Sequence, residues 1–401
     1  MKRRYYFFGL IGLVLAYFLS RAIVNSYENP ANSDFFSFWL SGKFIINNLN
    51  PYSAYDWIKG HHLYDATWIS DPTFLYPLPL SILFIPFGLL DLKTAFIIWV
   101  MLTVIFLIIS ISLLLNYLRP TRNQFLIPVM SGVILFRPLN SLLLNGQLST
   151  LFLLLFVLSL LLWEKENWRW GGVVITFALL KPNIGLIVIL LLWIYLFNKK
   201  RYHAIIGTVC AGFSLLIFGE FISPGWIANY FSILMTKHNQ TFGYSPTIWG
   251  LSFLATGFNS NLAIPIGGII SCVSLIAFSF YIFKCNNLPA APAMGLAIII
   301  MELVTPYIWP YDQIILIIPI ILIAAAMNKS EVPFIWISLT LLGISISSYI
   351  LFGISARSQL ENINGLLPVL ILVIYILTVI KGNNYGSNLT WDATALSQEN
   401  Q

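Results

Sequence analysis

Long apolar runs separated by short polar turns pattern this chain from its first residues to about residue 380. A bilayer core about 30 Å thick takes roughly 20 apolar residues as a helix, fewer where neighbouring helices bury it. On that measure the pattern predicts thirteen candidate helices, near 5–24, 74–90, 93–117, 124–139, 147–163, 169–181, 183–197, 203–222, 262–284, 289–305, 310–327, 333–353 and 365–380. Polar residues collect between them, above all in the loop from Asn25 to Thr73. No internal repeat interrupts the pattern, so 1–380 reads as one integral-membrane domain and 381–401, rich in Asn, Ser and Gln, as a flexible cytoplasmic tail. The first run has no small-residue cleavage site and reads as a retained signal anchor.

Basic clusters give the orientation, because Lys and Arg in short loops stay cytoplasmic. Lys2-Arg3-Arg4, Lys199-Lys200-Arg201, Lys284, Lys329 and Lys381 are assigned to that side. Downstream of residue 199 every crossing then alternates correctly and puts Ser223–Asn261, Thr305–Asp312 and Ser355–Asn364 outside. Upstream the count is odd by one. The segment 74–90 carries Pro77, Pro79 and Pro86, whose missing N–H groups lipid does not tolerate. It is expected to re-enter rather than cross, which leaves about 11–13 transmembrane or re-entrant helices. Leu144–Ser149 and Lys181-Pro182-Asn183 then also fall outside.

Composition sharpens this picture. The chain is 58% hydrophobic, 15% aromatic and 9% charged, with a mean hydropathy of +0.84, against about 25% charged residues in globular proteins. It is an all-α polytopic membrane protein embedded in a lipid bilayer. The net charge of +6 resides in short loops, as anchoring requires, and no nucleic-acid signal accompanies it. The three cysteines lie in or beside apolar runs without metal-type spacing and read as packing residues.

The first loop is too aromatic for a disordered linker. The spacing of Phe35, Phe38, Trp39, Gly42, Ile45 and Ile46 predicts a short helix on the membrane surface, with Asp34 near its N-terminus. An Asp there suits a helix cap. It also suits a general base, since aromatic surroundings raise a carboxylate's pKa and offer flat faces to sugar rings.

Other candidates follow from placement. Lys181 stands between two apolar runs, either snorkelling or serving as a cation for a lipid-linked phosphate. Arg137, before Pro138, invites the same reading. Asn145-Gly146-Gln147, Asn239-Gln240 and Asn50-Pro51-Tyr52 offer neutral polar groups on the outer side, or simply satisfy loop backbone. Trp226, Trp249 and Trp309 fit an interfacial aromatic belt. Glu302 and Asp312 flank Thr305-Pro306-Tyr307-Ile308-Trp309 and make a second acidic site possible. His61-His62 lacks zinc spacing and His238 lacks a metal-site partner. The chain contains no Gly-rich phosphate loop, no Ser-nucleophile elbow and no Asp-x-Asp pair, which disfavours a nucleotide-sugar donor.

Taken in order, Asp34 in SDFFSFW, Asn50-Pro51-Tyr52, Tyr76-Pro77 with Pro86, Gly146-Gln147, Leu180-Lys181-Pro182, Asn239-Gln240 and Thr305-Pro306 with Trp309 resemble glycosyltransferase family 87. The resemblance covers roughly residues 1–330. It implies a C-type glycosyltransferase fold with surface helices in the first extracytoplasmic loop, and a polyprenyl-phosphate sugar as donor. Mannose is the family's commonest sugar, and a glycan or glycolipid the acceptor. Asp34 is then the catalytic base. Asn50, Tyr52, Tyr76, Arg137, Gln147, Lys181, His238, Asn239, Gln240, Trp249, Trp309 and Asp312 are the expected substrate-binding residues, with Lys181 on the phosphate, helped by Arg137 or His238. Asp312 stands where the resemblance leads one to expect a His or other polar residue, and the turn after Pro79 lacks a double proline. A cell-membrane location with the site on the extracytoplasmic side follows. No metal ligand is assigned, although a divalent cation held by Asp34 with Asp56 or Asp312 stays open. A polytopic transporter or flippase is the rival class. It would be expected to show repeats and ionisable residues near the midplane.

Overall fold

The computed structural model describes residues 30–381 apart from 68, 70, 119–125, 237–241 and 286, together with Ser20 and Val24. Most of the anchor expected over 5–24 and most of the 381–401 tail lie outside these residues, as do His238, Asn239 and Gln240. Among the described residues the chain is helical and has no strand.

The first loop forms α1, Asp34–Ile46, and α2, Ala54–Leu63, as its aromatic spacing predicts. Phe35, Phe36, Phe38, Trp39 and Trp57 are almost fully buried, so this loop is a packed cap and not a solvated connection. Its partner is the proline-rich segment, which breaks into α3, Leu78–Leu83, and α4, Ile85–Gly88. Neither has the length to cross a bilayer. Each starts with a proline in its first two positions, where the missing N–H is tolerated. Phe84 stacks on Phe38 at 5.2 Å and lies 4.8 Å from Trp99, tying the proline-rich segment to the cap.

Two glycines permit this contact. A Cβ on Gly42 would stand 2.3 Å from the Phe84 carbonyl oxygen, and one on Gly88 2.6 Å from the Lys43 nitrogen. The atoms in the way are backbone and cannot rotate aside. Gly88→Ala is therefore expected to destabilise the protein by about 1–3 kcal/mol, the usual cost of overpacking. Thermal unfolding in detergent reads this directly, and an unchanged melting temperature would refute the packing account.

Six helices among the described residues are long and apolar enough to cross a membrane. They are α5, Leu92–Leu118; α11, Tyr202–Ile222; α14, Ser260–Lys284; α16, Ile317–Lys329, with a 3-10 lead from Asp312; α17, Phe334–Ser358; and α18, Leu366–Tyr375, extended to Glu361–Ile380. Between α5 and α11 come α6, Leu126–Ile134, and α7, Arg137–Asn145, which form a pair bent by 49° over Ile127–Asn145. They are followed by α8, Ser149–Glu164, α9, Trp168–Thr176, running on as 3-10 to Leu180, and α10, Pro182–Asn198. The segment after α11 holds α12, Trp226–Thr236, and α13, Ile248–Ala255. Finally α15, Ala290–Val304, is buried along its whole length and forms the centre of the bundle. Several runs expected as separate spans are thus shorter helices packed inside protein.

Candidate active site

Asp34 is the first residue of α1, and Ser33 in extended backbone is the N-cap. The helix dipole favours an acid at that end, but the carboxylate bonds across the fold. Its Oδ2 accepts a 2.7 Å hydrogen bond from Gln147 Nε2, and the Tyr311 side chain bonds it as well. Asp34 keeps part of its surface accessible while protein crowds nearly all of its surroundings. Asp34 is therefore half-buried. Burial raises its pKa above the ordinary carboxylate value. The Gln147 hydrogen bond, Lys181 and Tyr311 oppose the shift, and Asp312 adds to it.

Gln147 reaches Asp34 because α7 ends at Gly146 in left-handed backbone, φ 63°, a conformation that glycine adopts without penalty. A Cβ there would also stand 2.7 Å from the Phe35 Cβ. Trp99 Nε1 donates to the Gly146 carbonyl at 2.8 Å and locks the turn. Gln147 is fully buried, and Tyr76 interacts with its side chain.

Lys181 lies where the 3-10 tail of α9 meets α10. Pro182 behind it disfavours helical backbone, and Lys181 sits at φ −129°, ψ 85°. Asn183 Nδ2 donates to the Tyr307 carbonyl at 2.9 Å, and Thr305 Oγ1 to the Asn183 carbonyl at 3.1 Å, so this turn is pinned to the segment after α15. Lys181 Nζ stands 2.6 Å from Asp312 Oδ1 and donates to Gln147 Oε1 at 3.5 Å. Asp312 Oδ1 also accepts from Ser149 Oγ at 2.5 Å, and its Oδ2 from the Trp309 N–H at 3.2 Å. One polar chain thus runs inward from Asp34: Asp34, Gln147, Lys181, Asp312, Ser149. The sequence reading offered Lys181 as a snorkelling residue or as a cation for a lipid-linked phosphate; here it pairs with Asp312 at 2.6 Å.

Of the expected residues, Asp34, Tyr76, Gln147, Lys181, Trp309 and Asp312 come together. Asn50 Oδ1 accepts from the Tyr52 N–H at 2.9 Å, and the Tyr52 hydroxyl donates to the Tyr76 carbonyl at 2.8 Å; both support the loop that carries Tyr76. Trp249 Nε1 donates to the Val304 carbonyl at the end of α15. Arg137 belongs to a separate cluster, on Ser141, Ser348 and Phe352. Sequence reasoning missed Tyr311, Ser149 and Asn183, although each lies within two residues of a singled-out position. Glu302, on the central helix, is fully buried, and neither carboxylate oxygen has a partner among the described residues.

Among the described residues no group of three or more His, Cys, Asp or Glu side chains is placed to hold a metal ion. Asp56 lies in the first turn of α2, where the Ser53 hydroxyl accepts from its N–H, and Asp312 is engaged by Lys181.

The family model of glycosyltransferase family 87 matches residues 74–306. The match takes in Tyr76, Gln147 and Lys181, while Asp34 and Asp312 lie on either side of it. No curated protein and no solved structure matches the chain.

Proposed function

This chain belongs to glycosyltransferase family 87 and is a multi-pass membrane glycosyltransferase; from that premise we propose that it moves a hexose, mannose in the first instance, from a polyprenyl-phosphate sugar to an extracytoplasmic glycan or glycolipid. Family membership sets the transporter reading aside.

The observation that carries this reading is one accessible carboxylate, Asp34, at the open end of an otherwise buried polar chain. In the proposed reaction Asp34 takes the proton from an acceptor hydroxyl as that oxygen forms its bond to the anomeric carbon. The bond from that carbon to the phosphate oxygen breaks, and its electron pair leaves with polyprenyl phosphate. A single displacement inverts the configuration. Because the leaving group is a phosphate, one base suffices, unlike glycoside hydrolysis with its two carboxylates. Gln147 and Tyr311 orient the Asp34 carboxylate, and Lys181 with Asp312 orients Gln147. Aromatic rings of the cap, Phe35 and Phe36 among them, exclude water. Incubating the purified protein with labelled polyprenyl-phosphate mannose and an acceptor panel tests the reading; a product of retained configuration would contradict the single displacement.

The pH profile follows from the environment of Asp34. The base works ionised, and burial raises its pKa, so the rate falls on acidification with a midpoint above the ordinary aspartate value of about 3.9. A rate flat down to that value would remove Asp34 from the base role. Turnover is also expected to persist in EDTA. Loss that added Mg²⁺ restores would bring back the metal-assisted version.

A further inference from the structure

Glu361 begins the 3-10 turn Glu361–Gly365 between α17 and α18, outside the residues that the family model matches. The turn is held on several sides. Asn362 Nδ2 donates to the Gly243 and Gly250 carbonyls at 2.9 and 3.0 Å, Asn364 Nδ2 to the Glu361 carbonyl at 3.0 Å, and Gln313 Nε2 to the Asn364 carbonyl at 2.9 Å. Gln313 directly follows Asp312, so the turn is tied to the segment that carries the inner end of the polar chain. Gly365 permits close packing on the other side, where a Cβ would stand 2.9 Å from the Pro246 carbonyl carbon. The Glu361 side chain itself is held far less. Its Oε2 is buried and has no hydrogen-bond partner among the described residues. Such an atom calls for an explanation, since nearly all buried polar atoms are bonded.

The surroundings supply one. Glu361 lies within electrostatic reach of Asp34, and Tyr307 within reach of Asp34, Asp312 and Glu361 alike. Asp34, Tyr307, Trp309 and Glu361 each keep part of their surface accessible, whereas Gln147, Lys181, Tyr311 and Asp312 are buried. The Tyr307 and Trp309 rings stand edge to face with centroids 5.6 Å apart, and the indole N–H donates to the Tyr307 hydroxyl. Two carboxyl groups and two aromatic rings are therefore the accessible members of this group. Aromatic rings offer flat apolar faces, and a carboxyl group can accept from a hydroxyl in either protonation state. Ionised, it would repel the phosphate of the donor, which points to an uncharged sugar of the acceptor. We propose that Glu361 holds the acceptor by taking a hydrogen bond from one of its sugar hydroxyls while Asp34 deprotonates another. No bond is made or broken at Glu361; it determines which hydroxyl reaches the base. The assignment of the bound sugar as acceptor rests on the transfer reaction proposed above.

The test measures glycoside binding by NMR to the full chain in phosphatidylcholine nanodiscs, with butyl α-mannoside, butyl α-glucoside and butyl α-galactoside as probes and no donor present. Wild type is expected to bind at least one of them. Glu361→Ala weakens that binding by about tenfold or more, the effect of losing a hydrogen bond to a charged group. Glu361→Gln falls between, since a neutral acceptor bonds about half as strongly, and it keeps the wild-type melting temperature because Oε2 has no partner to lose. One singly deoxygenated form of the bound glycoside should show the same loss on wild type and no further loss on Glu361→Ala, as expected of a site built for that hydroxyl. Wild type that binds none of the three, or a folded Glu361→Ala of unchanged affinity, overturns the proposal, and so does a deoxygenation loss that Glu361→Ala leaves in full. Should Glu361→Ala fail to fold, Glu361→Gln decides, and wild-type affinity there overturns it. Binding needs no donor, so the result stands apart from turnover. A protein without transfer but with Glu361-dependent binding loses the transfer reading and keeps the sugar site, whereas transfer with Glu361-independent binding loses the site alone.

Discussion

Asp34→Asn is expected to lower the rate of sugar transfer by about 10²–10⁴-fold, the contribution of a positioned general base, without unfolding the protein. The amide is nearly isosteric, and its oxygen can still accept from Gln147 Nε2, as Asp34 Oδ2 does at 2.7 Å. What the substitution removes is the capacity to take a proton. The linkage runs in the helpful direction. Burial raises the folded-state pKa of Asp34, so the protein binds that proton more tightly folded than unfolded. The corresponding stability is present below the unfolded value and is lost as pH rises through the raised one. Above the raised value wild type has lost it, and Asn does not ionise. Where Asp34 is ionised the variant should therefore melt no lower than wild type, as expected of a residue kept for function at a cost in stability. An inactive variant that also melts much earlier would make Asp34 structural.

Lys181→Ala should have the larger effect on stability. Lys181 and Asp312 are both buried and 2.6 Å apart. Removing one partner leaves the other charge in low dielectric, and broken buried pairs typically cost about 3–5 kcal/mol. The double variant Lys181→Met with Asp312→Leu removes both charges together and should recover most of the lost stability while staying inactive, because Gln147 loses the group that orients it. Where the single variant still turns over, a fall in kcat at constant donor KM marks a positioning residue. A rise in donor KM alone would restore Lys181 as the phosphate cation. Melting curves of the single and double variants check the energetic part, and equal stability of all three proteins would contradict it.

Much of this architecture was legible before any coordinates. Apolar run length, proline position and aromatic spacing are local signals, and they identified an all-α polytopic chain, a break over 74–90 in place of a full-length span and a short helix opening near Asp34. Run length cannot tell a lipid-facing helix from one buried in protein, however, since both are apolar. Runs such as Ser149–Glu164 and Ala290–Val304 therefore read as spans, although the structure makes them short internal helices. Within the site, single residues stood out where a polar group interrupted an apolar context, as Lys181, Gln147 and Asp312 do. Their mutual pairing did not. Lys181 and Asp312 are 131 positions apart, and Gln147 and Asp34 are 113 apart; no periodicity connects residues at such separations. The partner a buried charge takes is a tertiary property, which is why the sequence alone did not pair Lys181 with Asp312.

The central claim is that Asp34 is the base for transfer from a lipid-linked sugar. Single-turnover consumption of a polyprenyl-phosphate hexose by the purified protein in lipid, with acceptor present, tests it most directly. Wild type should release polyprenyl phosphate and form an inverted glycoside, and Asp34→Asn should bind the same donor without consuming it. Donor consumption by Asp34→Asn at the wild-type rate would contradict the account.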